Sequence, residues 1–215
     1  MKLLRKVTIL IFLAIVGMVV SSTGVYAYPV SAGEWVTINY TGGPRFSNGG
    51  PFLITSVDNP SVSFLTLCLE TNEYFTPGVQ YYIGSITSDA IMGGSGGPDP
   101  DPLDPKSAYL YYHFIKDPYP QAKWSAVQEA VWYIEQEYKN GELPAALSAA
   151  AQTLYADALA NAGDSSWGVG VLNMYTDATM TKLVQDFVTV PEPGILILLG
   201  IALSAVGLAA RRFKI

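Results

Sequence analysis

The chain has one cysteine and one histidine in 215 residues, which excludes an internal disulfide and leaves no histidine pair to hold a metal. No phosphate loop, nucleotide fingerprint or metal-ligand spacing occurs, so no cofactor is expected. Positive charge is also scarce. Between the two apolar runs near the termini the only basic residues are Arg45, Lys106, Lys116, Lys123, Lys139 and Lys182, against all 18 acidic residues. That excess argues against nucleic acid or anionic lipid as a partner and for a soluble, self-repelling surface. Aromatics make up 12% of the chain, enough to build a core, so the acidic middle reads as a folded domain.

The ends read as targeting segments. Lys2, Arg5 and Lys6 precede an apolar run over 7–20, and Val25-Tyr26-Ala27 follows. This is the pattern of a cleavable secretory signal over 1–27, with the mature chain starting at Tyr28. The run is too short for a spanning helix. At the other end, 194–210 holds 17 residues without charge. At 1.5 Å per residue they reach about 26 Å, close to the ~30 Å hydrocarbon core. Arg211, Arg212 and Lys214 follow and suit the cytoplasmic side. A membrane-spanning helix is expected there.

Directly before that run stands Val190-Pro191-Glu192-Pro193. The two prolines keep the chain extended and stop a helix from entering it. Together, Pro191, Glu192, Pro193, the apolar run, Arg211 and Arg212 resemble the PEP-CTERM sorting signal. The resemblance implies an exosortase-type processing enzyme as partner, membrane attachment through the C-terminal helix before processing, and delivery to the cell envelope, surface or extracellular matrix. One folded domain is left over 28–190, with the sorting signal over 191–215.

Within the domain, 34–40 alternates Trp35, Thr37 and Asn39 against Val36, Ile38 and Tyr40, the period of a half-buried strand. Further strands are expected over 52–57, 61–70 and 79–86, punctuated by Asp58-Asn59-Pro60 and Thr76-Pro77-Gly78. Residues 93–105 turn to Gly, Pro and Asp and read as a flexible loop. Asp99, Asp101 and Asp104 there lack the glycine and terminal glutamate of a calcium loop. Helices are expected over 106–115, 121–138 and 144–161. Trp124, Val127, Val131, Ile134 and Tyr138 fall on one face of the second. Strands return over 169–175 and 184–190. The fold class is α+β: an antiparallel β-sandwich or barrel with a helical insertion over about 105–162.

The lone Cys68 ends a strand in Leu67-Cys68-Leu69-Glu70, and Gln128 lies in the helical Val127-Gln128-Glu129-Ala130-Val131-Trp132. Together these segments resemble the thioester domains of bacterial surface adhesins, in which a cysteine pairs with the glutamine of a Thr-Gln-X-Ala-Ile-Trp type motif. Val127 stands in place of the threonine. The resemblance implies a side-chain cross-link between Cys68 and Gln128, and covalent attachment to amine-bearing targets. Such a cross-link is a single-use electrophile, not a turnover enzyme. It needs shielding from water, for which Leu67, Trp124 and Trp132 are candidates, and donors to polarise the carboxamide oxygen, which the sequence does not identify. His113 is a further candidate for the surroundings, as a proton carrier.

Other readings of the same residues stay open. Cys68 fits an inert, buried small hydrophobe. Ser125-Ala126-Val127-Gln128 fits a capping box in which Gln128 bonds the Ser125 backbone. An inert Cys68 would leave a structural or carbohydrate-associated matrix protein using exposed aromatics such as Tyr81, Tyr82 and Tyr119. A cysteine hydrolase built on Cys68 and His113 would need an orienting residue and an oxyanion hole that no motif announces.

Overall fold

Strand β1 (Trp35–Tyr40) follows the alternation read from its sequence: Val36 and Ile38 are fully buried, and Trp35 and Thr37 are half-buried. Tyr40 departs from the pattern and is 51% exposed. The computed structural model describes residues 28–138 and 147–191. The signal peptide expected over 1–27 and the spanning helix expected over 194–210 lie outside the described residues, as do Glu192, Pro193, Arg211 and Arg212. Among the described residues no helix is long and apolar enough to cross a membrane.

Strand β1 is central because both its edges are used. It pairs antiparallel with β2 (Phe52–Ser56) on one side and β4 (Gln80–Thr87) on the other. Strand β3 (Ser63–Thr66) extends the sheet beyond β2; β7 (Gly170–Tyr175) and β8 (Phe187–Thr189) extend it beyond β4. All pairs are antiparallel. The β4–β7 register shifts between Ile83 and Ser85, at Gly84, where a side chain would run into the Tyr175 ring.

The expected strand over 61–70 divides its pairing at Thr66. Residues up to Thr66 bond β2, and the next three turn to β8. The Val188 N–H donates to the Leu67 carbonyl at 3.2 Å and the Leu69 N–H to the Asp186 carbonyl at 3.2 Å, with Cys68 opposite Phe187. The Thr66 hydroxyl adds a bond to the Val188 carbonyl at 2.7 Å. This seam ties the two outer strands together through residues 67–69, which continue β3, so the six strands form one sheet closed on itself rather than two stacked ones.

Side-chain alternation through the seam separates two cores. Cys68 faces a strand core with Val36, Ile38, Phe52, Ile54, Ile83, Leu172, Met174 and Phe187. Phe52, Phe75 and Phe187 meet edge to face there, with centroids 4.9 to 5.9 Å apart. Leu67 and Leu69 face the other way, into a core shared with the helices.

Those helices are α1 (Pro105–Lys116), α2 (Trp124–Ile134) and α3 (Ala149–Asn161). Asp104 caps α1 by accepting from the Lys106 N–H at 2.7 Å, with Pro105 at the first helical position. The loop before it is tied down. Its Asp101–Pro102 (β6) pairs with Asp89–Ala90 (β5), and Asp99 accepts from the Gly93 N–H at 2.6 Å.

A 3-10 turn at Gln121–Lys123 leads into α2, which stops at Ile134 rather than near Tyr138. The cause is Gln136, at φ +61, with the Glu137 N–H closing back on the Trp132 carbonyl at 2.9 Å. This is the left-handed helix ending usually built on glycine. Of the face expected to meet the core, Val127, Val131 and Ile134 are buried, while Trp124 and Tyr138 are half-buried. The described part of the alanine-rich helix starts at Ala149, after Ser148.

Ser148 ties α3 to α2. Its hydroxyl accepts from the Ala151 N–H at 3.2 Å, while its own N–H and O–H donate to the Glu129 carboxylate at 2.7 and 2.5 Å. Replacing Ser148 by Ala removes a cap and leaves one oxygen of the buried Glu129 short of a donor. A loss of about 2 kcal/mol is expected in urea denaturation, with an unchanged m value.

Candidate functional site at Cys68 and Gln128

Residues four apart on a helix share a face, so Trp124, Gln128 and Trp132 form one stripe along α2. The β1–β2 loop crosses that stripe on glycines. A side chain at Gly43 would lie 2.7 Å from the Trp124 ring, and one at Gly49 would lie 2.6 Å from the Trp132 ring and 2.7 Å from Gln128 Cγ. The absence of a Cβ is what lets the loop backbone come down onto the helix.

That approach delivers a hydrogen-bond donor. The Gly50 N–H donates to Gln128 Oε1 at 3.0 Å, and the Cys68 N–H donates to the same oxygen at 3.2 Å. In the other direction Gln128 Nε2 donates to the Cys68 carbonyl at 2.8 Å. Three backbone groups from two segments thus fix the carboxamide. The Cys68 thiol also donates to Oε1, with Sγ 3.5 Å from it. Gln128 is wholly buried and Cys68 is 2% exposed. The capping-box alternative is not what forms: α2 starts at Trp124 without a side-chain cap, and Gln128 spends its polar atoms on Gly50 and Cys68.

The electrostatics keep the thiol protonated. Burial pushes the Cys68 thiol well above its usual range, and the Glu70 charge adds to this, while the Gly50 N–H opposes it. Beside Cys68 lies a cavity of about 140 Å³, lined also by Tyr40, Asn48, Glu70, Glu73, Trp132 and Gln185. One carboxylate oxygen from each of Glu70, Glu73 and Asp186 falls within 4.8 Å of the others. Such spacing admits a hard divalent cation or shared protons. Gln185 Nε2 donates to Glu70 at 2.7 Å, and the Met174 and Ile91 N–H groups donate to Asp186, each at 3.2 Å. Burial, then mutual repulsion, holds Glu70 and Asp186 well above the carboxylate range. Glu73 is pushed up to about 7, mainly by burial and then by Glu137 and Asp99, against the nearby Asp186 N–H, whose hydrogen bond goes to Glu70 at 3.3 Å.

The other expected site residues divide. Trp132 covers the site: it lines the cavity, packs on Gly49 and meets the Phe46 ring at 6.0 Å. Leu67 lies beside Cys68 but points into the helical core. Trp124 sits one turn away, against Phe114, with its Nε1 donating to the Tyr119 carbonyl. His113 is a correction. It sits in the last turn of α1 among Tyr109, Tyr112 and Trp167, with Nδ1 3.1 Å from Asp117, and makes no hydrogen bond to Cys68 or Gln128. Tyr81 is likewise buried, not an exposed sugar platform, and Tyr82 and Tyr119 are half-buried; Tyr40 and Tyr74 are the exposed tyrosines beside the cavity. Gly49, Gly50, Glu73 and Asp186 went unread in the sequence; the Gly49-Gly50 pair before Pro51 signalled only a turn.

These features define an α+β domain with a closed antiparallel sheet, a helical layer and a buried Cys–Gln pair beside an acidic cavity. The C-terminal stretch specifies its destination: residues 189–212 match the PEP-CTERM protein-sorting motif. Such signals mark proteins exported to the cell envelope or surface through an exosortase, so this is an exported chain with an exosortase as its processing partner. No curated protein and no solved structure matches the chain. At the start of the motif, the Pro191 carbonyl accepts from Lys116 Nζ at 3.1 Å.

Two outcomes follow from this geometry. Gly49→Ala forces Trp132 and Gln128 outward and is expected to cost about 1–3 kcal/mol in chemical denaturation. Glu70, Glu73 and Asp186 hold protons in the fold that they would release on unfolding at neutral pH. Above the ordinary carboxylate range the folded state therefore binds more protons, and stability falls as pH rises. The thermal midpoint is expected to be higher at about pH 5 than at about pH 8, and Glu70→Gln is expected to flatten that slope.

Proposed function

We propose that this chain is an exported surface or matrix protein that attaches covalently to amine-bearing targets through a thioester between Cys68 and Gln128. The observation that carries the reading is the grip on Gln128: its carboxamide oxygen lies 3.5 Å from Cys68 Sγ and accepts two backbone N–H bonds. An amide is a poor acyl donor, and fixed donors on its oxygen are what a sulfur needs to add to it. In forming the cross-link, a sulfur–carbon bond replaces the carbon–nitrogen bond of the carboxamide, and the thiol proton leaves with the nitrogen as ammonia. In reacting with a target, the amine nitrogen takes the carbon, the sulfur–carbon bond breaks, and the Cys68 thiol is restored. The product is an amide between Gln128 and the target, which lies outside the range of reversible affinity.

The same N–H groups of Gly50 and Cys68 serve both steps, because each passes through a tetrahedral oxyanion at Oε1. Burial of both side chains restrains hydrolysis. Each molecule reacts once, so it behaves as a reagent, not as an enzyme.

A second reading draws on Tyr40 and Tyr74, which are 51% and 72% exposed beside the cavity. Aromatic faces placed there suit stacking on sugars, with Cys68 inert and the protein a non-covalent, carbohydrate-associated component of an exopolysaccharide matrix. Intact mass separates the two. Freshly folded wild-type protein is expected to weigh one ammonia less than its sequence. Methylamine is expected to return the mass to the sequence value with the amine's substituent added. Cys68→Ala and Gln128→Ala should keep full mass and ignore methylamine. A full mass for the untreated wild type removes the thioester and leaves the second reading.

A further inference from the structure

An amine that reaches Gln128 must first lose a proton. At pH 7 a lysine-like amine, with a pKa near 10.4, is unprotonated in fewer than about one molecule in a thousand. Nucleophilic attack in a secluded cleft therefore needs a group that takes this proton on site. The Cys68 thiol is itself protonated, and His113 is bonded to Asp117.

Resting on the thioester reading, we propose that Glu73 is the proton acceptor for the incoming amine: its carboxylate takes one proton from the ammonium in the cavity beside Cys68 and frees the nitrogen to attack Gln128.

Three observations single out Glu73 among the neighbouring acids. It lines the same cavity as Cys68. Its Oε2 is buried yet has no hydrogen-bond partner among the described residues, so a lone pair is available. Glu70 and Asp186, within 4.8 Å, are only 2% and 1% exposed and are engaged by Gln185 and by backbone donors. The titratable groups that face Glu73 are all acidic: Glu70 before it, Asp186 ahead of β8, Glu137 after α2, and Asp99 in the loop leading to α1. No lysine or arginine lines the cavity among the described residues. With Glu70 and Asp186 held protonated, Glu73 is the one of the three that ionises near neutral pH, and with no basic side chain beside it that charge draws in a cation. Its burial sets Glu73 to about 7, where a general base both is ionised and binds a proton usefully.

The protons balance. The ammonium gives one to Glu73, which releases it to solvent. After attack, the nitrogen gives a second to the departing sulfur, which becomes the Cys68 thiol. The third stays on the new amide.

The test compares wild type with Glu73→Gln by intact mass. Both are expected one ammonia short before treatment, since Cys68, Gln128 and the two N–H donors are unchanged. At fixed total methylamine and pH 7 the variant is expected to react at least about tenfold more slowly. The wild-type rate should rise to a plateau above about pH 7, whereas the variant's should keep climbing with the free-amine fraction. Trifluoroethylamine, already unprotonated at neutral pH, should react equally with both, and Glu73→Asp should recover part of the methylamine rate. Equal methylamine rates and matching pH profiles overturn the role of Glu73 and leave the thioester standing. A full mass in Glu73→Gln alone would assign Glu73 to forming the bond, not opening it, and also overturns the proposal. A full mass in untreated wild type overturns the thioester and this role with it.

Discussion

A buried carboxamide in an otherwise apolar setting must find partners for its oxygen and its amino group, or it destabilises the fold by a few kcal/mol. Gln128 meets that requirement with backbone from two distant places, Gly50 in the β1–β2 loop and Cys68 on the sheet seam. The loop can descend only because Gly43 and Gly49 present no side chain to Trp124, Gln128 and Trp132. The strand offers Cys68 only because its pairing switches from β2 to β8 just before it. Helix, loop and sheet seam therefore meet at one polar group, and the same bonds hold the Cys68 sulfur 3.5 Å from the carboxamide oxygen.

The surroundings are arranged by charge. Six acids cluster around the site (Glu70, Glu73, Asp99, Asp101, Glu137 and Asp186), and those that are buried are held above the carboxylate range by desolvation first and by one another second. Glu137 joins them because Gln136 turns the chain back at the end of α2, which lets its carboxylate receive the Thr71 and Ser95 N–H groups at 2.8 and 3.1 Å. Burial first, and the neighbouring acids when they ionise, oppose ionisation of the thiol.

What was legible in the sequence was whatever depends on local period. The alternation in β1 placed Val36 and Ile38 correctly, and the helical spacing placed Val127, Val131 and Ile134. Tyr40 departs from the alternation: it lies on the cavity wall and is 51% exposed. The end of α2 failed because a glutamine occupies the left-handed position that patterns reserve for glycine. Cys68 and Gln128 were legible by their residue types and by resemblance. The groups that hold them were not: a backbone N–H has no letter in a sequence, and Glu73 and Asp186 come together only through sheet closure. His113 was singled out for its chemistry alone, and chemistry without position carried no information.

The short distance between strand β8 and the sorting motif has a mechanical meaning. Thr189 is both the last residue of β8 and the first of the matched signal, and Pro191 is already fastened to α1 through Lys116. The domain therefore has no slack at its exit. The residues that bond the Cys68 segment, Asp186, Phe187 and Val188, all lie just ahead of the matched signal, so the sheet seam is complete before the signal begins. The domain's last strand and the sorting signal share Thr189, so the body of the fold ends where the address begins.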